Sequence, residues 1–111
     1  MKKKKIKTFK VYCTYSPEGK YYIGFSSKDG KQYDRYFGSS KEILTKIKEN
    51  PDSHGYRKIT IGEYTKKSHA KAVEAILQWD NRHDPRQLND MWNVRLRLSH
   101  LKELNIPDWK P

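Results

Sequence analysis

Val11 to Gly24 reads VYCTYSPEGKYYIG, and this stretch decides the fold. Two short runs rich in Val, Tyr and Ile flank Ser16-Pro17-Glu18-Gly19. Proline sets φ and glycine admits positive φ, so these four residues are a turn signal. β-branched and aromatic runs on both sides of such a turn predict a β-hairpin. Successive strand residues point to opposite faces. Phe9, Val11, Cys13 and Tyr15 therefore share one face, and Tyr21, Ile23 and Phe25 share one face of the return strand. Tyr12 and Tyr22 fall on the other parity, with Thr8, Lys10, Thr14 and Gly24. A register that keeps parity stands both phenols on one polar face. Gly24 leaves room there for another backbone or a ligand.

Downstream, Ser26 to Gly38 is polar and reads as a loop carrying Lys28, Lys31 and Arg35. Ser39-Ser40-Lys41-Glu42 opens a helix, with Ser39 and Glu42 as a capping box. Ile43, Leu44 and Ile47 give it an apolar stripe, and Asn50-Pro51 ends it. The start of that helix, with free N–H groups and partial positive charge, suits a phosphate. Tyr56 to Tyr64, YRKITIGEY, reads as an imperfect third strand, which completes the smallest sheet that carries a core. Ser68 caps a second helix whose buried stripe is Ala70, Val73, Ile76 and Leu77. Glu74 lies at the margin of that stripe, where a carboxylate must find a cation, a metal or water. Asp84-Pro85 opens an exit loop. Val94, Leu98, Leu101 and Leu104 predict a final helix bearing Arg95, Arg97, His100 and Lys102, although alternation at Val94, Leu96 and Leu98 also admits a strand. Ile106 to Pro111 reads as an extended tail. The expected fold is α+β, a small three-stranded antiparallel sheet flanked by helices. Residues 1–8 form a basic arm, 9–105 one domain and 106–111 the tail.

A chain of 111 residues supports one modest core. Its 24 Lys and Arg against 13 Asp and Glu leave a formal charge of +11. Such an excess opposes compaction and suits a polyanion. No run of about 18 apolar residues predicts a membrane span. Met1-Lys2-Lys3-Lys4-Lys5 has a signal-like charge but no apolar stretch after it, so the expectation is an intracellular, cytoplasmic protein (host cytoplasm if viral). The lysines read either as a solvated tail or as a phosphate-contacting arm. Cys13 is the only cysteine, which excludes an internal disulfide and a Cys-based zinc cluster. His54, His69, His83 and His100 are scattered without metal-ligand spacing, and no Walker loop, dinucleotide fingerprint or Ser-His-Asp pattern is found.

Lys10-Val11-Tyr12, a short turn and Tyr22-Ile23-Gly24 together resemble the GIY-YIG nuclease family. The second half matches outright. The first keeps the tyrosine, with Lys10 where the family has glycine. Tyr36-Phe37-Gly38-Ser39-Ser40 looks like the Y-x-G-S segment of phage-type members, and the likeness spans roughly Phe9 to Asn93. The resemblance implies that Arg35 is the catalytic arginine, with Lys41 as its substitute. It implies that Glu74 holds a single divalent metal, Mg²⁺ or Mn²⁺. The family asparagine falls on Asn89, which follows Asp84-Pro85 at the family spacing, with Asn93 competing. The implied reaction is hydrolysis of a DNA phosphodiester, most simply in double-stranded DNA. Tyr12 would be general base, Tyr22 would position water or phosphate, Arg35 would clamp the phosphate and Asn89 would brace the network. A phenol near pKa ~10 needs help to act as a base at neutral pH, and Lys10, Lys20 and Arg35 are the candidate helpers. Lys10, Lys20, Lys28, Lys31, Ser39 and Lys41 are the expected DNA contacts. Family members that home or repair carry separate DNA-binding domains. This chain shows none, so target choice falls to the module, its basic surface, a partner protein or dimerisation. The rival readings are a non-catalytic nucleic-acid-binding module of the same fold and a protein-interaction domain.

Overall fold

A computed structural model of the chain describes residues 7–38, 40–89 and 106–111. β1 (Phe9–Tyr15) and β2 (Tyr21–Ser26) form the hairpin. Its turn closes through Gly19 N–H to Ser16 O, 3.1 Å, and Ser16 N–H to Lys20 O, 2.7 Å. The register pairs Tyr12 with Gly24, Cys13 with Ile23 and Thr14 with Tyr22, so parity holds as the pattern requires. β3 (Arg57–Tyr64) joins the other side of β1, giving an antiparallel sheet in the order β2-β1-β3. The protein is thus α+β with a three-stranded antiparallel sheet and helices beside it.

The imperfection of the third strand has a structural cause. A register shift opposite Val11/Tyr12 leaves Ile61 as an extra residue on β3, a β-bulge. Ile61 therefore packs toward the core, while Ile59 before it remains exposed at 41%. Glu63 comes to lie opposite Lys10 rather than in line with Arg57.

α1 (Gly30–Asp34) interrupts the segment expected to be all loop. α2 (Lys41–Glu49) begins one residue later than expected. Its N-cap is Ser40, without a side-chain cap, and Glu42 instead pairs with Lys46 at 3.4 Å. The expected capping box is thereby corrected, since its glutamate is spent one turn along the helix. Only Ile43 of its stripe is buried, and Leu44 is half exposed. α3 (Lys67–Asp80) starts before Ser68, with Lys66 at the N-cap, so Ser68 sits inside the first turn and caps nothing.

α3 covers the face predicted to be apolar. Val11, Cys13, Tyr21 and Ile23 meet Ala70, Val73 and Leu77 in one cluster. Each fully buried Val, Leu or Ile side chain contributes on the order of 1.5–3 kcal/mol. The tail is not free: Trp109 packs on this cluster, edge-on to Tyr21 with ring centres 6.4 Å apart. Among the described residues no helix is long and apolar enough to cross a membrane. Met1 to Ile6 of the basic arm, Ser39, Asn93 and the expected final helix through Val94, Leu98, Leu101 and Leu104 lie outside the described residues.

Candidate active site

The polar face of the hairpin is polar, as expected, but it is not open. Tyr12 and Thr14 are each 1% exposed. The segment from Tyr33 to Gly38 lies over them and is tied down at several points. Thr14 Oγ1 donates to Phe37 O at 2.7 Å. Lys58 Nζ donates to Tyr36 O at 2.7 Å and to Tyr33 O. The Tyr33 hydroxyl bonds Thr60 Oγ1 at 2.7 Å. Lys58 also stands 3.6 Å from the centre of the Tyr33 ring, a cation–π contact. It was not among the residues expected at the site. Its signal in the sequence is parity: Lys58 and Thr60 share the side of β3 that pairs with Thr14 and Tyr12.

Two glycines shape the centre. A Cβ on Gly24 would overlap the Cζ and hydroxyl oxygen of Tyr12. The room left by Gly24 is therefore filled by the phenol of its own cross-strand partner. Tyr12 lies across β2, the edge strand of the sheet. Gly38, at φ +129°, brings its backbone against both hairpin tyrosines. A Cβ there would stand 2.9 Å from Tyr22 Cε1 and 3.5 Å from the Tyr12 hydroxyl. The Tyr36 ring meets Tyr12 edge-on, with centres 5.9 Å apart. The Y-x-G segment and the two halves of the tyrosine motif thus converge.

Glu74 stands in the other layer, on α3. It sits half-buried on α3 between the buried Val73 and Ala75. Its carboxylate makes no hydrogen bond or ion pair among the described residues. Burial pushes its carboxyl up to about 7, and Lys71 opposes this. Burial also pushes the Tyr12 phenol well above the ordinary tyrosine range. The nearby Tyr36 and Tyr22 phenols and the Glu74 carboxylate push it further the same way. That sign corrects the expectation that Lys10, Lys20 or Arg35 lowers it. Every named neighbour disfavours the anion.

Asn89 braces β2 itself. Its Oδ1 accepts the Ile23 N–H at 2.8 Å, and its Nδ2 donates to Ile23 O at 3.0 Å. Gln78 Nε2 of α3, unforeseen in the sequence, also donates to Ile23 O at 3.0 Å. Tyr21 N–H donates to Arg86 O and Leu88 N–H to Tyr21 O, so residues 86–89 pair with the outer edge of β2. Asp84 sets this run up. It accepts the Tyr21 hydroxyl at 2.8 Å and the Arg86 backbone N–H at 3.0 Å, and the Arg86 guanidinium holds its carboxyl well below the usual range. The Asp-Pro to Asn spacing is thus a turn followed by an edge clamp, directly between Tyr22 and Gly24.

Arg35 ends α1, exposed, and makes no ion pair among the described residues. Lys20, Lys28, Lys31 and Lys41 are exposed. Lys28 lies 5.3 Å over the Tyr36 ring. Lys10 is corrected from surface contact to internal tie. It is 6% exposed, and its ammonium is held by Asp29 Oδ1 at 2.5 Å and Lys28 O at 2.8 Å. Ser39 and the competing Asn93 fall outside the described residues.

Among the described residues no three His, Cys, Asp or Glu side chains converge as a metal cluster. One half-buried carboxylate, biased by Lys71 but in no ion pair among the described residues, still fits a hard divalent ion. Mg²⁺ keeps most of its waters and needs one or two carboxylates plus substrate phosphates. No family model matches the chain, and neither a curated protein nor a solved structure matches it.

Proposed function

We propose that this protein is a nuclease that hydrolyses DNA phosphodiester bonds with one divalent metal ion, as its resemblance to GIY-YIG enzymes implies. The observation that carries the reading is the convergence of Tyr12, Tyr22 and Tyr36 around Gly38 on one face of the hairpin, with the half-buried Glu74 carboxylate on α3. Glu74 is the residue that would hold Mg²⁺ or Mn²⁺. Bound there, the ion supplies Lewis-acid polarisation of the phosphate and charge for the leaving oxygen. Arg35, exposed and unpaired among the described residues, offsets charge that builds on the phosphate. A phenol of the cluster takes the proton of the attacking water, a role the resemblance assigns to Tyr12. Tyr22 positions water or phosphate. Asn89 holds the strand that carries Tyr22 and Gly24. Exposed Lys20, Lys28, Lys31 and Lys41 supply charge toward the DNA backbone, and the basic excess supports double-stranded DNA as the partner.

The test is conversion of supercoiled plasmid to nicked or linear product in Mg²⁺ and not in EDTA. No conversion by folded protein removes the reading. The burial of Tyr12 and its raised phenol favour a second reading, a nucleic-acid-binding module that does not cleave. Both readings require salt-sensitive binding. If about 5 phosphates are neutralised, log K against log salt falls with a slope of about −4.5.

A further inference from the structure

The phenols of the site differ in reach. Tyr12 is 1% exposed, walled by Gly24, by Gly38 and by the edges of Tyr33 and Tyr36. A general base must come within hydrogen-bond distance of the water it deprotonates. Tyr36 and Tyr22 are the partly open phenols beside it, and Tyr36 is the one on the segment that carries Arg35. Its backbone is fixed by the bond from Lys58 to its own carbonyl and by that from Thr14 to the carbonyl of Phe37. Its chain neighbour is Arg35, exposed and unpaired among the described residues. Phosphate clamp and proton acceptor would then stand on successive residues of one anchored segment, which is how a reacting group is held to tight geometry.

We propose that Tyr36 is the phenol that meets the attacking water, and that Tyr12 is its internal neighbour. The inference rests on the nuclease reading and changes its base. Tyr36, as the phenolate, takes the water proton as the water oxygen bonds to phosphorus. The bond from phosphorus to the leaving 3′ oxygen breaks, that oxygen takes a proton from solvent, and Tyr36 returns its own to solvent. The groups facing Tyr36 are Tyr12 from β1, Lys28 after β2 and Lys58 from β3.

The experiment compares wild type with Tyr36→Phe, Tyr12→Phe, Tyr22→Phe and Glu74→Ala. It measures plasmid nicking in Mg²⁺ across pH and DNA affinity in EDTA. Tyr36→Phe is expected to lower cleavage by roughly 10² to 10⁴ and to flatten its rise with pH, at unchanged affinity. Tyr12→Phe is expected to lose less than Tyr36→Phe. Equal cleavage by wild type and Tyr36→Phe, or a larger loss in Tyr12→Phe or Tyr22→Phe, overturns the proposal. If wild type does not nick, or Glu74→Ala nicks as well as wild type, the nuclease reading falls and takes this inference with it. A readout without turnover accompanies these rates. With 3-fluorotyrosine placed singly at 36 or 12, adding DNA in EDTA is expected to shift the fluorine resonance at 36 more than at 12, and the reverse order overturns the proposal.

Discussion

On the α3 side of the sheet, Val11, Cys13 and Ile23 are fully buried against Ala70 and Val73. On the other side Tyr12 and Thr14 are buried as completely, yet their surroundings are Lys58, Thr60, Tyr33 and the carbonyls of Phe37 and Tyr36. The first face is held by area, and any well-packed apolar set of the right volume would serve it. The second is held by named donors and acceptors, each of which costs free energy if its partner is removed. Specific groups kept out of water at fixed geometry are what a reaction needs. On the proposed reading, stability belongs to the first face and chemistry to the second.

On the nuclease reading Glu74 is the metal ligand, and removing it has the largest expected effect. Losing several kcal/mol of metal-borne stabilisation means that Glu74→Ala cleaves at least about 10³-fold more slowly. DNA affinity measured in EDTA should stay at the wild-type level. Cleavage at the wild-type rate would take the chemistry away from this edge of the sheet.

Next comes the apolar face. Ile23→Ala is expected to cost about 3 kcal/mol in urea unfolding, from lost burial and a residual cavity. Tyr12→Phe, which keeps the ring on Gly24, should cost about 1 kcal/mol or less. Equal losses would erase the contrast between the faces.

The third effect depends on pH. Burial raises the Glu74 carboxyl to about 7, so the folded chain holds that proton more tightly than the unfolded chain. The associated stability is complete below the ordinary glutamate range and is lost as pH rises through about 7. Without metal, Glu74→Gln should therefore be more stable than wild type by about 2 kcal/mol near pH 8, and little different near pH 4. Mg²⁺ should raise the Tm of wild type near pH 8 and leave Glu74→Gln unmoved. An unchanged difference across pH would mean that the carboxylate is not desolvated.

The smallest effect sharpens the polar face. Lys58→Met removes donors to two carbonyls and should cost about 1–2 kcal/mol. It should also lower kcat more than it weakens DNA binding, because it frees the Tyr33–Gly38 segment. Lys58→Arg should recover part of both. Loss of stability with unchanged kcat would make Lys58 a structural tie only.

Much of this is legible in the chain. The hairpin, its register parity and the α3 stripe follow from period-two and helical patterning. The Asp84-Pro85 turn signal is legible too, and in the structure an Asx-type turn leads straight into the Asn89 clamp on Ile23. Boundaries were less legible: Ser39 and Ser68 carry cap-forming side chains, yet the helices start at Lys41 and Lys67. The bulge at Ile61 was visible only as imperfect alternation, because a single extra residue leaves composition unchanged.

The sequence alone determined which residues share a face, since parity along a strand is a covalent property of the backbone. It determined the charge, the turn and the lone carboxylate at a helix margin in the same local way. Whether a face is covered is decided by segments distant in the chain, and only the tertiary structure shows it. Lys10 and Lys20 read alike as surface lysines, but Asp29 and the carbonyl of Lys28 claim the first and leave the second exposed. Tyr12 and Tyr36 are both phenols near a glycine, and the fold of residues 33–38 over the sheet buries one and leaves the other partly open. Desolvation depends on everything within a few ångströms, whatever its place in the chain. That is why the sign of the Tyr12 shift required the structure.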